Sequence, residues 1–93
     1  MITTRVGFGY DMHKLEEGSY IMLGGIRIDS NHTVVAHSDG DIVLHSLSDA
    51  IYGSLAAGDI GTHFPSNKEN INIQSVKILK HACELITQSN YMI

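Results

Sequence analysis

Residues 39–57, DGDIVLHSLSDAIYGSLAA, decide the fold because they carry the clearest helical pattern in the chain. From Ile42 to Ala57, apolar side chains recur every three or four positions, at Val43, Leu44, Leu47, Ile51 and Leu55. The opposite face carries the polar set Asp41, His45, Ser48, Asp49 and Tyr52. Asp39 is the expected N-cap. The stretch therefore predicts an amphipathic helix that packs its apolar face on the core.

Upstream of this helix the pattern changes to that of β-structure. Arg5 to Tyr10 alternates bulky and small residues with period two, which predicts a strand ending near Asp11. Tyr20–Leu23 and Ile26–Ile28 are β-favouring runs separated by Gly24-Gly25, and such a glycine pair supplies the positive φ angles of a two-residue turn. We therefore expect a β-hairpin here.

Downstream of the helix, Gly58–Pro65 is rich in turn formers and is expected to be a shaped loop. A second amphipathic helix is predicted from Ile73 to Ser89, with Asn90 in the left-handed conformation at its end. Its apolar set is Val76, Leu79, Ala82, Cys83 and Ile86. Tyr91–Ile93 then begins another β-like run. Together these elements predict a single α/β domain, of the α+β kind, over residues 1–93.

Composition narrows the function classes. The chain has 93 residues and a net charge of −4, with no basic run, which argues against a nucleic-acid binder. The single cysteine, Cys83, cannot form an internal disulfide, and no apolar stretch approaches the roughly 20 residues of a membrane span. We expect a soluble cytoplasmic protein that binds neither nucleic acid nor membrane. Because so short a domain hides only about 60% of its unfolded surface, association with a partner subunit is also expected.

Asp11 and His13 lie two residues apart at the predicted strand end, so both side chains can converge on one ion. By itself this pattern is more often an exposed pair. His45, on the polar helix face, offers a third ligand, although it could equally be a surface histidine paired with Asp49. Two nitrogens and one carboxylate suit Zn²⁺ and leave a fourth position open, as in catalytic sites. In that interpretation Asp49 orients the free N–H of His45.

The segment His37–Asp41 stands immediately before the predicted helix, where outward amides attract anions such as phosphate. It could equally be an ordinary capping segment, although that interpretation gives no reason for His37. A histidine at this position can donate a hydrogen bond to a phosphoryl oxygen as charge develops. His81 is expected to be solvated, and Cys83 to be buried in its helix face.

Four segments occur in order and at suitable intervals: RVGFGYDMH at 5–13, LGGIRI at 23–28, AHSDGD at 36–41 with His45, and GDIGTHFP at 58–65. Together they resemble the family of 2-C-methyl-D-erythritol 2,4-cyclodiphosphate synthases. The resemblance implies a mixed sheet backed by helices and a homotrimer with each active site between neighbouring subunits. It covers roughly the first three-fifths of a family member, so the chain is expected to be truncated before further strands and a final helix.

The resemblance also implies a reaction. The 2-phosphate of 4-diphosphocytidyl-2-C-methyl-D-erythritol 2-phosphate attacks the β-phosphorus of the same molecule, which forms the cyclodiphosphate and releases CMP. This makes the enzyme a phosphorus–oxygen lyase of non-mevalonate isoprenoid biosynthesis. Its main task is to fold the substrate into line and to stabilise charge on the phosphoryl oxygens.

Carried onto this sequence, the family pattern assigns the metal ligands to Asp11, His13 and His45, with Zn²⁺ as the expected ion. His37 is expected to stabilise the transition state. The substrate-binding set is expected to be Asp11, Met12, His13, His37, Ser38, Asp59, Ile60, Gly61 and Phe64. The family also uses a second divalent ion, Mg²⁺ or Mn²⁺, held by a Thr-Thr-x-Glu segment that this sequence does not contain.

Two other functions are compatible with part of this pattern. The first is a zinc-binding or subunit-association module that keeps the metal ligands without turnover. The second is a metallophosphoesterase, a class that also uses Asp-x-His after a strand but needs Gly-Asp-x-x-Asp and Gly-Asn-His as well. Here Gly40-Asp41 is followed by Ile42-Val43-Leu44, and Ser30 precedes Asn31-His32, so this class is disfavoured.

Overall fold

The computed structural model describes residues 3–93 and contains four short strands and three α-helices. The strands are β1 (Lys14–Glu17), β2 (Tyr20–Leu23), β3 (Ile26–Asp29) and β4 (His32–Val35). The helices are α1 (Ile42–Ser54), α2 (Ile60–His63) and α3 (Ser75–Gln88), with a 3-10 turn at Lys68–Asn70. The mixed α/β class predicted from the sequence is confirmed, and the described strand pairs are all antiparallel.

The four strands form one continuous antiparallel ribbon, in which the β2–β3 pair lies next to the turn and the β1–β4 pair extends it. This ribbon is longer than the predicted hairpin. β2 pairs with β3 across Gly24 and Gly25, whose φ angles are 63° and 81°, so the predicted turn is confirmed. β1 pairs with β4 outside them, and neither of these two strands was predicted from the sequence. Hydrogen bonds from Gly18 N–H to the Asn31 carbonyl (3.2 Å) and from Ser30 N–H to the Ser19 carbonyl (3.0 Å) join the two pairs in the same register.

The predicted strand at residues 5–11 is wrong for the described chain, since no hydrogen-bonded strand precedes Lys14 between residues 3 and 93. Its period-two pattern is nevertheless real. Gly9, Asp11 and His13 are partly covered, whereas Tyr10 and Met12 between them are exposed. A strand also needs a partner strand, and what this segment meets is the side of α1.

The core lies between α1 and α3 and consists of Ile51, Tyr52, Ile78, Ala82 and Ile86. The predicted core face of α1 was partly wrong, because Val43 and Leu47 are about half exposed while His45, Ser48 and Tyr52 are buried. Burial of Ser48 costs little because its hydroxyl donates to the carbonyl of Leu44 at 2.7 Å. Contacts with α3 and with the N-terminal segment therefore determine which side of α1 is buried, and hydropathy alone does not.

The helix boundaries differ from the predictions in detail. α1 ends at Ser54, before Ala57, and its N-cap is Asp41, not Asp39, since the Asp41 carboxylate accepts the Leu44 N–H. α3 covers most of the predicted 73–89 helix, and Asn90 has the expected positive φ of 62°. Ile78, which was not in the predicted set, is buried, while Val76, which was in it, is exposed.

Two predictions in the connecting segments were also wrong. The predicted 58–65 loop contains α2, because Asp59 and Thr62 form a capping box that closes one helical turn. The predicted β-like run at residues 91–93 is not hydrogen-bonded as a strand. No helix in the part of the chain from residue 3 onward is long and apolar enough to cross a bilayer.

Candidate metal centre

Asp11, His13 and His45 come together at one place, as predicted. Each offers one ligand atom, and these atoms lie within 4.8 Å of one another. Asp11 and His13 belong to the segment before β1, and His45 lies in the first turns of α1. His45 is buried, and the other two are partly covered. The three residues therefore form a compact O,N,N donor set.

The separations of both histidines from Asp11 suit a tetrahedral ion. Nδ1 of His45 lies 3.1 Å from Oδ2 of Asp11, and Nδ1 of His13 lies 3.3 Å from the same oxygen. Zinc bonds of about 2.0–2.1 Å at tetrahedral angles place neighbouring ligand atoms roughly 3.3 Å apart. Nδ1 of His13 is moreover buried, and its 3.3 Å contact with Oδ2 of Asp11 does not have the geometry of a hydrogen bond. A buried nitrogen that makes no hydrogen bond is costly unless it binds something, so the donor set fits a divalent metal.

Two glycines bring the N-terminal segment against α1. A Cβ on Gly7 would overlap the carbonyl oxygen of Ala50, and a Cβ on Gly9 would overlap that of Ser46. Only glycine permits this approach of backbone to helix. Because side chains two apart share a face, the same approach directs Asp11 and His13 towards His45.

The predicted role of Asp49 is wrong. Its Oδ1 accepts the N–H of Ile60 at 2.8 Å, so this carboxylate anchors the start of α2 and does not contact His45. Burial raises the pKa of Asp49, and the nearby charges of Asp59 and Asp11 raise it further against the opposing effect of the Ile60 hydrogen bond. Nε2 of His45 instead lies 2.7 Å from Oγ of Ser75 and 3.1 Å from Oγ of Ser38.

Beside the metal ligands lies a cleft of about 180 Å³. Six of the residues predicted as metal or substrate sites line it, namely His13, His37, Ser38, His45, Ile60 and Phe64. His37 is exposed and lines the cleft. Two other predicted residues do not line the cleft. Asp11 belongs to the donor set beside it, and Met12 is 75% exposed.

Asp59 and Gly61 do not line the cleft either. Hydrogen bonds from Thr62 to the Asp59 carboxylate lower the pKa of Asp59, whose Oδ1 accepts both the backbone N–H (2.9 Å) and the hydroxyl (3.0 Å) of Thr62. Asp59 therefore shapes α2, and α2 in turn presents Ile60 and Phe64 to the cleft.

Three amides around the start of α1 donate hydrogen bonds within the chain. The N–H of Gly40 donates to Ser38 Oγ, that of Asp41 to Asp39 Oδ1, and that of Leu44 to Asp41 Oδ1. These three amides are not available to a phosphate, so the expected anion site at this helix end is not formed by them. The buried carboxylate of Asp41 also accepts the amides of Gly24 and Gly25 at 2.9 and 2.6 Å, which ties the ribbon tip to α1.

A second histidine group was missed by the sequence analysis. His81, expected to be solvated, is half-buried, and its Nδ1 lies 2.7 Å from the Tyr52 hydroxyl. His63 stacks on the Tyr52 ring at 4.5 Å, and its Nε2 donates to the Ala57 carbonyl at 2.7 Å. Burial raises the pKa of Tyr52 to about 12, so its hydroxyl remains protonated. Cys83 is partly covered, not fully buried as expected.

A larger groove of about 790 Å³ lies between the N-terminal segment, α1 and the last residues of the chain. No predicted metal or substrate residue lines it. The candidate chemistry is therefore confined to the smaller cleft beside the donor set.

Comparison of this sequence with known proteins identifies a family and related enzymes. The sequence model of the YgbB family matches residues 4–93. The 2-C-methyl-D-erythritol 2,4-cyclodiphosphate synthase of Fusobacterium nucleatum subsp. nucleatum is 49% identical over 90 residues, which cover 96% of this chain and 56% of that protein. The chain thus spans little more than half the length of this curated relative.

Solved structures agree with the sequence comparison. A 2C-methyl-D-erythritol-2,4-cyclodiphosphate synthase superposes with a TM-score of 0.86 at 39% identity, over 92% of this chain and 58% of that one. The Plasmodium falciparum IspF in complex with CDP superposes with a TM-score of 0.77 at 43% identity, over 96% of this chain and 54% of that one.

Proposed function

The chain belongs to the YgbB family, and we propose that it forms the metal-binding part of a cyclodiphosphate synthase. The reaction would convert 4-diphosphocytidyl-2-C-methyl-D-erythritol 2-phosphate to 2-C-methyl-D-erythritol 2,4-cyclodiphosphate with release of CMP. The observation that carries the proposal is the convergence of Asp11, His13 and His45 beside the cleft that also contains His37 and Ser38. This combination suits a phosphorylated ligand because it joins a site for a cation to hydrogen-bond donors.

In this reaction the 2-phosphate oxygen forms a bond to the β-phosphorus while the bond from that phosphorus to the CMP oxygen breaks, so the enzyme acts as a phosphorus–oxygen lyase. Both reacting groups belong to one molecule, and the protein gains most by holding them in line. When bound, a divalent ion, which we propose is Zn²⁺, would supply Lewis-acid stabilisation of the phosphoryl oxygens.

The remaining roles belong to side chains of the cleft. His37, exposed at the cleft, would donate a hydrogen bond to a phosphoryl oxygen as negative charge develops, with Ser38 as a neighbouring hydroxyl. Phe64 and Ile60 present apolar surface that would exclude water from the methylerythritol group. Asp59 and Gly61 would shape this wall through α2, and Met12 would contribute through its backbone beside Asp11.

We propose that the protein is a homotrimer. One side of the N-terminal segment carries four large apolar residues that are 66–87% exposed, Val6, Phe8, Tyr10 and Met12. An apolar stripe of this kind is the surface a subunit interface buries. The second divalent ion, Mg²⁺ or Mn²⁺, stays a prediction from the family resemblance.

A chimera tests the proposed activity. Residues 1–93 joined to the remaining C-terminal region of the Fusobacterium nucleatum synthase should release CMP from the substrate when supplied with Zn²⁺. The 93-residue chain assayed alone should release little, because it spans only 56% of that relative. Equal CMP release from both would contradict the requirement for the C-terminal region, and an inactive, folded, trimeric chimera would contradict the proposed function.

The non-catalytic alternative remains distinct because all three proposed ligands lie within the chain. A folded chimera that binds Zn²⁺ without turnover would favour it. The metallophosphoesterase alternative receives no support from Asp41, whose carboxylate is occupied by the amides of Gly24, Gly25 and Leu44.

A further inference from the structure

The second ring nitrogen of His45 has a buried hydrogen-bonded environment supplied by a distant part of the chain. Its Nε2 lies 2.7 Å from Oγ of Ser75, the first residue of α3 and fully buried. Ser75 in turn contacts Asp39 twice: its hydroxyl donates to Oδ1, and its backbone N–H donates to Oδ2 at 3.0 Å. The three side chains therefore form a continuous path from His45 to a carboxylate.

The direction of the hydrogen bonds along this path follows from the number of protons. A serine hydroxyl carries one proton, and the ionised carboxylate of Asp39 can only accept. If the Ser75 proton is directed to Asp39, the contact between Ser75 and His45 requires a proton on Nε2 of the histidine. With that proton on Nε2, Nδ1 of His45 offers its lone pair to a cation held beside Asp11 and His13. Without a cation, Oδ2 of Asp11 lies 3.1 Å from Nδ1 and competes for the ring proton.

We propose that Ser75, held by Asp39, is a positioning residue that fixes the tautomer and ring orientation of His45 for metal binding. Histidine ligands generally donate their other N–H to a carboxylate or an equivalent acceptor, and loss of that partner weakens metal binding by about 10- to 100-fold. Here the acceptor is a hydroxyl backed by a carboxylate. This inference rests on the proposed metal site and goes beyond it by assigning roles to two further residues.

The surroundings of Ser75 support a role beyond helix capping. Gln74 is the N-cap residue of α3 but makes no side-chain capping hydrogen bond, and the backbone N–H of Ser75 is satisfied by Asp39 instead. The Ser75 hydroxyl is thus free to link His45 to Asp39. Docking of α3 and orientation of the metal ligand are therefore achieved by the same residue.

The first test compares the Zn²⁺ affinity of Ser75→Ala and Ser48→Ala variants of the chain by competition with a chromophoric chelator. Both serines are fully buried, but the Ser48 hydroxyl donates only to the Leu44 carbonyl. Ser75→Ala should weaken Zn²⁺ binding by about 10- to 100-fold, and Ser48→Ala should leave it within about threefold. Equal affinities in the two variants, or a greater loss in Ser38→Ala than in Ser75→Ala, would overturn the proposal.

The second test does not depend on a stable variant. Long-range ¹⁵N–¹H NMR spectra of the Zn²⁺-loaded wild-type chain report which nitrogen of His45 is protonated and which one binds the ion. We expect the proton on Nε2. A proton on Nδ1 would contradict the proposal even if Ser75→Ala fails to fold. A chain that binds no Zn²⁺ would instead contradict the proposed metal site.

Discussion

The two histidine groups of this chain use similar residues for different purposes. His13 and His45 lie with their ring centroids 5.4 Å apart beside a carboxylate, and Nδ1 of His13 has no hydrogen-bond partner among the described residues. His63 and His81 lie 4.9 Å apart beside Tyr52, and each makes a 2.7 Å hydrogen bond. Two imidazoles close to each other are therefore not sufficient to form a metal site. The first group differs from the second by a neighbouring carboxylate and by a buried ring nitrogen that makes no hydrogen bond.

The largest expected effect is the loss of metal binding on removal of a ligand from the first group. His45→Ala should abolish stoichiometric Zn²⁺ binding, since only Asp11 and His13 would remain. His81→Ala, the matched change in the second group, should retain it. Zinc content after dialysis, measured by elemental analysis, checks both. Unchanged zinc content in His45→Ala would remove this residue from the site.

A smaller loss of Zn²⁺ affinity is expected when Asp11 and His13 are displaced but no ligand is substituted. Gly9→Ala places a Cβ against the backbone of Ser46 and should push Asp11 and His13 away from α1. We expect Zn²⁺ affinity to fall by roughly 10-fold or more, as when the support of a metal ligand is lost.

Gly53→Ala is the control for that change, because its Cβ would have an ordinary contact of 3.8 Å with the Phe8 carbonyl oxygen. It should leave Zn²⁺ affinity unchanged and stabilise α1 by about 0.5–1 kcal/mol. Equal Zn²⁺ affinities for Gly9→Ala and Gly53→Ala would show that the close approach of Gly9 does not position the ligands.

Acidification should destabilise the helix that carries both His45 and Tyr52. Burial alone would raise the pKa of Asp41, but hydrogen bonds from the amides of Leu44, Gly25 and Gly24 outweigh it and lower the pKa below 3.8. The stability contributed by the ionised form is therefore present above pH 3.8 and is lost as the pH falls through the lower pKa of the folded state.

Asp41→Asn tests this contribution and should cost about 1–3 kcal/mol near neutral pH, because one amide loses its acceptor. Urea unfolding over an acidic pH series should show a weaker pH dependence below 3.8 in this variant than in the wild type. Asp29→Asn serves as the control, since the Asp29 side chain is 93% exposed. The same pH dependence in Asp41→Asn as in the wild type would contradict the assignment.

The smallest effect is expected in the second histidine group. Tyr52→Phe removes the hydroxyl that contacts Nδ1 of His81 and should lower the free energy of unfolding by about 0.5–1.5 kcal/mol. Zn²⁺ affinity should not change, because Tyr52 does not contact the ligands in the first group. A Zn²⁺ affinity that falls with this variant would mean that the two histidine groups are coupled.

Local pattern predicted the parts of the molecule that depend on short spacing. Gly24-Gly25 predicted the ribbon turn, and the period of two placed Asp11 and His13 on one face. The period-two segment did not become a strand, because what lies against it in the described chain is α1 and not another strand. β1 and β4 were missed because β1 is largely polar and because the pairing of the two strands is fixed by the turn between β2 and β3.

Contacts between distant positions could not be predicted in the same way. Asp39 was expected to cap α1, but its carboxylate accepts the amide of Ser75, which lies 36 residues along the chain. Asp49 was expected to orient His45, but the start of α2 takes its carboxylate first. In both cases the carboxylate makes a tertiary hydrogen bond instead of the local contact that the sequence suggested. A buried serine before an apolar run, such as Ser75, carries no sequence signal of its own.

X-ray absorption at the zinc edge of the Zn²⁺-loaded chain reports the ligand atoms themselves and is therefore the decisive measurement for the metal site. We expect a first shell of nitrogen and oxygen at about 2.0–2.1 Å, with the outer-shell scattering of two imidazole rings. A sulfur ligand at about 2.3 Å, which would have to come from Cys83 or a methionine, or an oxygen-only shell without imidazole, would contradict the site formed by Asp11, His13 and His45.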